Sequence, residues 1–261
     1  MTGSTPSGGA DAAVVLEGLT KRFGDHTAVD GISLSVPRGS FVGVVGRNGA
    51  GKTTTMKMCT ALLPPTAGSV SVMGIDVWAN PVAAKEQFGV LPETMALFDR
   101  LTGAEMLLYN GLIRGLDRDL VVQRSRRLLH VLGLDEAADR MVVDYSHGMT
   151  KKVALAAALL HGPQVLFLDE PFEAIDPVST RSIEAVLHRH VEDGGTVVFS
   201  SHVLDVVERL CDHVVVIDLG RIRTTGTIEQ VRHGARLEDA FLELIGEQDQ
   251  NTEGLSWLGS S

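Results

Sequence analysis

Only two of the 261 residues are cysteine, Cys59 and Cys211. Two thiols make no disulfide framework, so a reducing compartment is the default. Long apolar runs are also missing. The longest, Val153 to Leu160, has eight residues, whereas a membrane-spanning helix needs about 20, so the chain is not expected to cross a bilayer. Positive charge is in deficit: 23 Lys and Arg face 33 Asp and Glu, a net charge of −10 with His neutral. That balance gives no support to nucleic-acid binding, which needs clustered positive charge against the phosphates. Much of the acidity sits near one end, in Glu238, Asp239, Glu243, Glu247, Asp249 and Glu253, with no Lys or Arg among them. Residues 237–261 therefore read as a short helix, Leu237 to Ile245, and a solvated tail. At the other end, residues 1–12 read as a flexible tail. Met1 to Asp11 is rich in Gly, Ser and Thr and places no Lys or Arg before an apolar stretch, unlike a secretory signal.

What the chain does have is a well-supplied core, with 44 % apolar and 21 % charged residues. Ile32, Leu34 and Val36 alternate with serines, as do Val70 and Val72, the period of half-buried strands. Phe41 to Val45 is apolar on both faces, as a central parallel strand requires. From Thr102 to about Leu160 the pattern is helical, opened by Thr102 and Glu105 at capping-box spacing. Strands then return at Val165–Leu168, Thr196–Phe199 and Val214–Ile217, with helical runs Thr180–Val191 and Val203–Leu210 between them. This alternation predicts an α/β protein with a mostly parallel sheet covered by helices. The helical block, about residues 93–160, reads as an inserted subdomain of a domain spanning 13–236.

Directly after Val45 comes Gly46-Arg47-Asn48-Gly49-Ala50-Gly51-Lys52-Thr53, followed by Thr54 and a helical run to Leu63. This is the phosphate-loop pattern in its strand-to-helix setting. Glycines let successive N–H groups converge on one anion, and the helix start adds its dipole. Lys52 supplies a point charge for the β- and γ-phosphates, and the Thr53 hydroxyl suits Mg²⁺. Two further strands end in chemistry-bearing residues: Asp169-Glu170, and Ser200-Ser201-His202. Ligands of open parallel sheets lie beyond such strand ends. Asp169 is a candidate Mg²⁺ ligand, Glu170 a candidate to polarise the attacking water, and His202 to hold that geometry. Alone, Asp-Glu would be an acidic turn and His202 a helix cap or surface histidine.

The run Tyr145-Ser146-His147-Gly148-Met149, then Leu168-Asp169-Glu170-Pro171 and Asp176-Pro177, resembles the ATP-binding cassette ATPases. The resemblance covers roughly residues 14–232. It implies a P-loop NTPase (RecA-like) core sheet with an N-terminal antiparallel β subdomain and the inserted α-helical subdomain. It also implies a head-to-tail dimer, with ATP between the phosphate loop of one subunit and the signature segment of the other. Ser146 and the Gly148 backbone would then face the partner's γ-phosphate, and Asp176 would touch the opposite subunit. Phe23 falls where the family stacks an aromatic on adenine. Glu93 falls where the family usually has Gln, linking Mg²⁺ to the helical subdomain. His147 and Met149 depart from the common Ser-Gly-Gly-Gln signature, and Ala174-Ile175 from Gly-Leu.

Pro92-Glu93 and the Tyr-Ser-x-Gly-Met segment look most like the subfamily that drives multidrug and other exporters. The resemblance thus implies a cytoplasmic ATPase, held at the membrane by a separate permease subunit, that dimerises on ATP and powers export. The block from Glu93 to Leu132 would be the docking surface, marked by exposed Met95, Leu97 and Phe98. The alternative is a soluble cassette whose ATP-dependent dimerisation acts as a regulatory or scaffolding switch. A single phosphate loop and no sustained heptads disfavour the translation and chromosome-maintenance relatives. No Asn-Lys-x-Asp motif supports a GTPase.

Overall fold

The computed structural model describes residues 11–94 and 97–246. The expected tail up to residue 10, Met95, and the acidic residues Glu247, Asp249 and Glu253 lie outside them. The first structured segment, β1 (Ala12–Phe23), starts at the last residue of the expected tail and pairs antiparallel with β2 (His26–Pro37). Together with β4 (Ala67–Val72) and β5 (Ile75–Asp76) they form a sheet of order β2-β1-β4-β5.

The second sheet contains β3 (Phe41–Val45), β6 (Phe88–Leu91), β7 (Val165–Asp169), β8 (Thr196–Ser201), β9 (His213–Asp218) and β10 (Arg221–Thr227), in order β10-β9-β3-β8-β7-β6. All its pairings are parallel except β9 with β10. Every residue of β3, β7 and β8 is buried, which explains the apolar runs Phe41–Val45, Val165–Leu168 and Val197–Phe199. Alternate side chains of these strands and of β9 feed two different cores. Val42, Val44, Phe167, Val198, Val215 and Ile217 pack toward the antiparallel sheet and α1 (Lys52–Cys59). Phe41, Val45, Leu166, Leu168, Val197 and Phe199 pack toward the helices on the opposite face.

Several expected helices have different limits. The run expected over Thr54–Leu63 is α1, which begins at Lys52 and ends at Cys59, because Thr60 turns its hydroxyl back to the Met56 carbonyl and Ala61 is left-handed. A short helix α2 (Pro81–Gln87) precedes β6. The helical block is interrupted. It contains α3 (Gly103–Ile113), opened by the expected Thr102–Glu105 capping box, α4 (Arg118–Val131), two single 3₁₀ turns, and α5 (His147–Leu159). Three more helices follow the later strands: α6 (Pro177–Glu192), α7 (Leu204–Leu210) and α8 (Ile228–Arg232). Helix α6 starts three residues earlier than its apolar pattern, because Asp176 caps it and Pro177 suits its first turn. The last helix, α9 (Leu237–Ile245), has the expected limits.

Candidate functional site

The phosphate loop lies where β3 hands over to α1, and its glycines are sterically required. A Cβ on Gly46 would stand 2.2 Å from the Ile217 carbonyl oxygen, and one on Gly51 would stand 2.6 Å from that of Ala28. Gly51 also caps α1 with φ of 106°, a left-handed geometry that favours glycine. The first N–H groups of α1 have no intrahelical acceptor and open onto a cleft of about 540 Å³. Lys52 is buried there, folded back so that its Nζ donates to the Gly46 carbonyl at 2.8 Å.

The cleft gathers most of the residues expected from sequence. Arg47, Asn48, Gly49, Ala50, Gly51, Lys52, Thr53 and Thr54 line it, with Phe23, Glu93, Glu170 and His202. Gly46 joins through its carbonyl, and Asp169 through Thr53, whose hydroxyl donates to Oδ1 at 3.3 Å. Phe23, at the end of β1, is half exposed at the rim, with Lys21 Nζ 5.3 Å from its ring centroid. The Glu170 carboxylate is held between two cations or potential cations. Its Oε1 is 4.0 Å from Lys52 Nζ, and its Oε2 is 3.1 Å from His202 Nδ1.

Four contributors were not anticipated as site residues. Glu173, His26 and Ala28 also line the cleft. Ser200, the end of β8, is fully buried and bridges the carboxylate pair: its hydroxyl accepts from the Glu170 N–H at 3.0 Å and donates to Asp169 Oδ1 at 2.5 Å. Ser200 stands in the Ser-Ser-His run, but nothing in that run indicates which serine points at the acids. Only the parallel register, which sets Asp169 opposite Ser200, decides it.

Ser146 and Gly148 are not among the residues lining this cleft. They begin α5, where the Ser146 hydroxyl accepts from the Met149 N–H at 3.3 Å and caps the helix that starts at His147. A Cβ on Gly148 would lie 3.4 Å from Asp176 Oδ2, placing Asp176 beside the same helix start. The Asp176 carboxyl is held below its ordinary range by hydrogen bonds from the Ser179 side chain and backbone and from the Val178 N–H.

The donor set at the loop suits Mg²⁺. A hydroxyl and one carboxylate, both hard oxygen donors, meet at Thr53 and Asp169, and this ion ordinarily keeps few protein ligands beside phosphate and water. Among the described residues no group of three or more His, Cys, Asp or Glu is placed to hold a metal by itself. Such a site would therefore depend on the phosphates for its remaining oxygens. No helix among the described residues is long and apolar enough to span a membrane. In the expected docking block Phe98 is exposed and packs edge-on against Tyr109, whereas Leu97 is partly buried against the core. Leu97 is thus not the surface marker the sequence suggested, since the core under the loop takes it up.

Comparison with known proteins agrees with this geometry. The family described as ABC transporter matches residues 29–173. The ABC transporter ATP-binding protein NatA of Bacillus subtilis is 36% identical over 232 residues, covering 87% of this chain and 94% of that protein. The daunorubicin/doxorubicin resistance ATP-binding protein DrrA of Streptomyces peucetius is 35% identical, over 84% of this chain and 67% of that protein. A solved ATP-binding subunit of an ABC transporter superposes with a TM-score of 0.84 and 29% identity, covering 89% of this chain and 99% of that chain.

Proposed function

The chain belongs to the ABC transporter family as an ATP-binding cassette, and from that membership we propose that it is the ATP-hydrolysing subunit of a drug or antibiotic exporter. One observation carries the reading: phosphate loop, carboxylate pair and histidine converge on one cleft, while the signature residues Ser146 and Gly148 stand apart from it. A second copy arranged head to tail would bring its signature segment against the bound ATP, so the assembly we propose is a homodimer. Export is supported by relatives named as resistance ATP-binding proteins, and membrane attachment is assigned to a separate permease. Exposed Phe98, Tyr109, Leu112 and Ile113 offer that permease an apolar face.

In the proposed reaction the loop N–H groups and Lys52 hold the β- and γ-phosphates, and Phe23 stacks on the base. Thr53 and Asp169 would hold Mg²⁺, with Glu93 nearby, and the bound ion supplies charge neutralisation on the β- and γ-oxygens. Glu170 orients and polarises the attacking water. His202, 3.1 Å from its carboxylate, keeps that carboxylate aimed and faces the γ-phosphate. The partner's Ser146 hydroxyl and α5 N–H groups complete the anion site.

The test is Glu170→Gln in the full chain. Turnover should fall by about 10²-fold or more, while ATP still binds and a dimer accumulates in light-scattering measurements. Lys52→Ala should lose ATP binding. Wild-type turnover in Glu170→Gln would refute the catalytic assignment, and failure to assemble with any co-expressed permease would refute export.

A further inference from the structure

Both sides of the Glu170 backbone are gripped by side chains from other elements. Its N–H donates to Ser200 on β8, and its carbonyl accepts from Lys151 Nζ on α5 at 2.6 Å. The same ammonium donates to the Glu173 carbonyl at 3.0 Å. These two carbonyls belong to one turn, closed by the Glu173 N–H on the Glu170 carbonyl at 3.3 Å. The turn is flanked by two left-handed residues, Glu170 with φ of 48° and Ala174 with φ of 54°. A non-glycine residue in that region is disfavoured and persists only where its surroundings hold it.

Lys151 itself is 2% exposed. A buried ammonium is costly unless hydrogen-bonded and paired. Burial lowers its pKa, and Glu173, Glu170, Glu93 and Asp169 oppose that shift. A lysine kept there for packing alone would be replaceable by an apolar side chain of similar length.

Resting on the assignment of Glu170 above, we propose that Lys151 is a positioning residue for hydrolysis. By clamping the two carbonyls, it holds Glu170 in the left-handed conformation that sends its carboxylate between Lys52 and His202. It does not touch ATP. Because Lys151 sits on α5, the helix that Ser146 opens, the clamp also ties the carboxylate to the segment that meets the second subunit.

The experiment is a double-mutant cycle in the full chain, following single-turnover release of radiolabelled phosphate and equilibrium ATP binding. Lys151→Met keeps the length and removes the donors. It should lower the rate about tenfold or more while ATP affinity stays within about threefold. Lys151→Gln, which keeps an N–H donor, should recover to within about fivefold of wild type. In a Glu170→Gln background either change should alter the rate by less than about twofold, because it acts through a carboxylate already removed. The inference is overturned if Lys151→Met turns over like wild type, if the losses multiply with that of Glu170→Gln, or if ATP affinity falls in step with rate. Should Lys151→Met fail to fold by far-ultraviolet circular dichroism, the Lys151→Gln arm decides alone, with a twofold-to-fivefold loss (about) confined to the Glu170 background. If Glu170→Gln by itself keeps wild-type turnover, the assignment of Glu170 fails instead, and the two failures are distinct.

Discussion

Replacing Ser200 by Ala removes one oxygen and disturbs two partners. The hydroxyl is 0% exposed with its residue, accepts from the Glu170 N–H and donates to Asp169 Oδ1. Alanine leaves that N–H without an acceptor inside the protein, at about 1–3 kcal/mol for an orphaned buried donor. It also removes a hydrogen bond to a carboxylate, worth about 1.5–3 kcal/mol. Asp169 keeps Thr53 as a donor at 3.3 Å, which lowers the second loss, and the lost oxygen leaves less room than a water needs. The net destabilisation should be about 2–4 kcal/mol, a fall in Tm of roughly 5–12 °C for a domain of this size. Urea unfolding followed by circular dichroism measures it, with Ser201→Ala as the reference. Among the described residues the Ser201 hydroxyl accepts only from the Val203 N–H, two residues on, so its loss should be about 1 kcal/mol. Equal effects for the two serines, or a Ser200→Ala change below about 1 kcal/mol, would refute the bridging argument.

Gly46→Ala should weaken ATP binding at least about tenfold by calorimetry, since its Cβ would meet backbone at 2.2 Å. Gly115→Ala, with φ of 75° and open space around it, should cost about 1 kcal/mol of stability and leave binding unchanged. His161, whose Nδ1 is buried with no partner among the described residues, has its pKa pushed down to about 4, by burial first and then by Arg114 and Arg124. The unfolded chain then takes up this proton at higher pH than the folded one. Stability should fall between pH 6.5 and about 4, by about 1–2 kcal/mol for a partly solvated ring, and His161→Gln should flatten that part of the urea-midpoint profile. The Cys59 thiol, pushed up to about 12 by burial, should react with a disulfide reagent at pH near 8 about 10³-fold more slowly in the folded chain than after unfolding.

Local chemistry made much of this protein readable in its sequence. The phosphate loop could be placed because its work is done by backbone and by residues adjacent in the chain: Gly46, Gly51, Lys52 and Thr53 carry their meaning in their spacing. The buried strands could be placed because both faces of the central sheet are covered, so β3 and the first four residues of β7 must be apolar. Helix limits were less legible where a cap outweighed apolar pattern, as at Asp176 for α6 and Ser146 for α5. Strands β1, β6 and β10 carried weaker patterns, since their burial depends on neighbours distant in sequence. What only the tertiary structure decided is how the Glu170 carboxylate is held. Parallel register alone sets Ser200 beside Asp169, and the packing of α5 brings Lys151 to carbonyls 19 and 22 residues away. A hydrogen bond between distant residues leaves no period or spacing in the chain, so its partners become visible only when the sheet and helices are assembled.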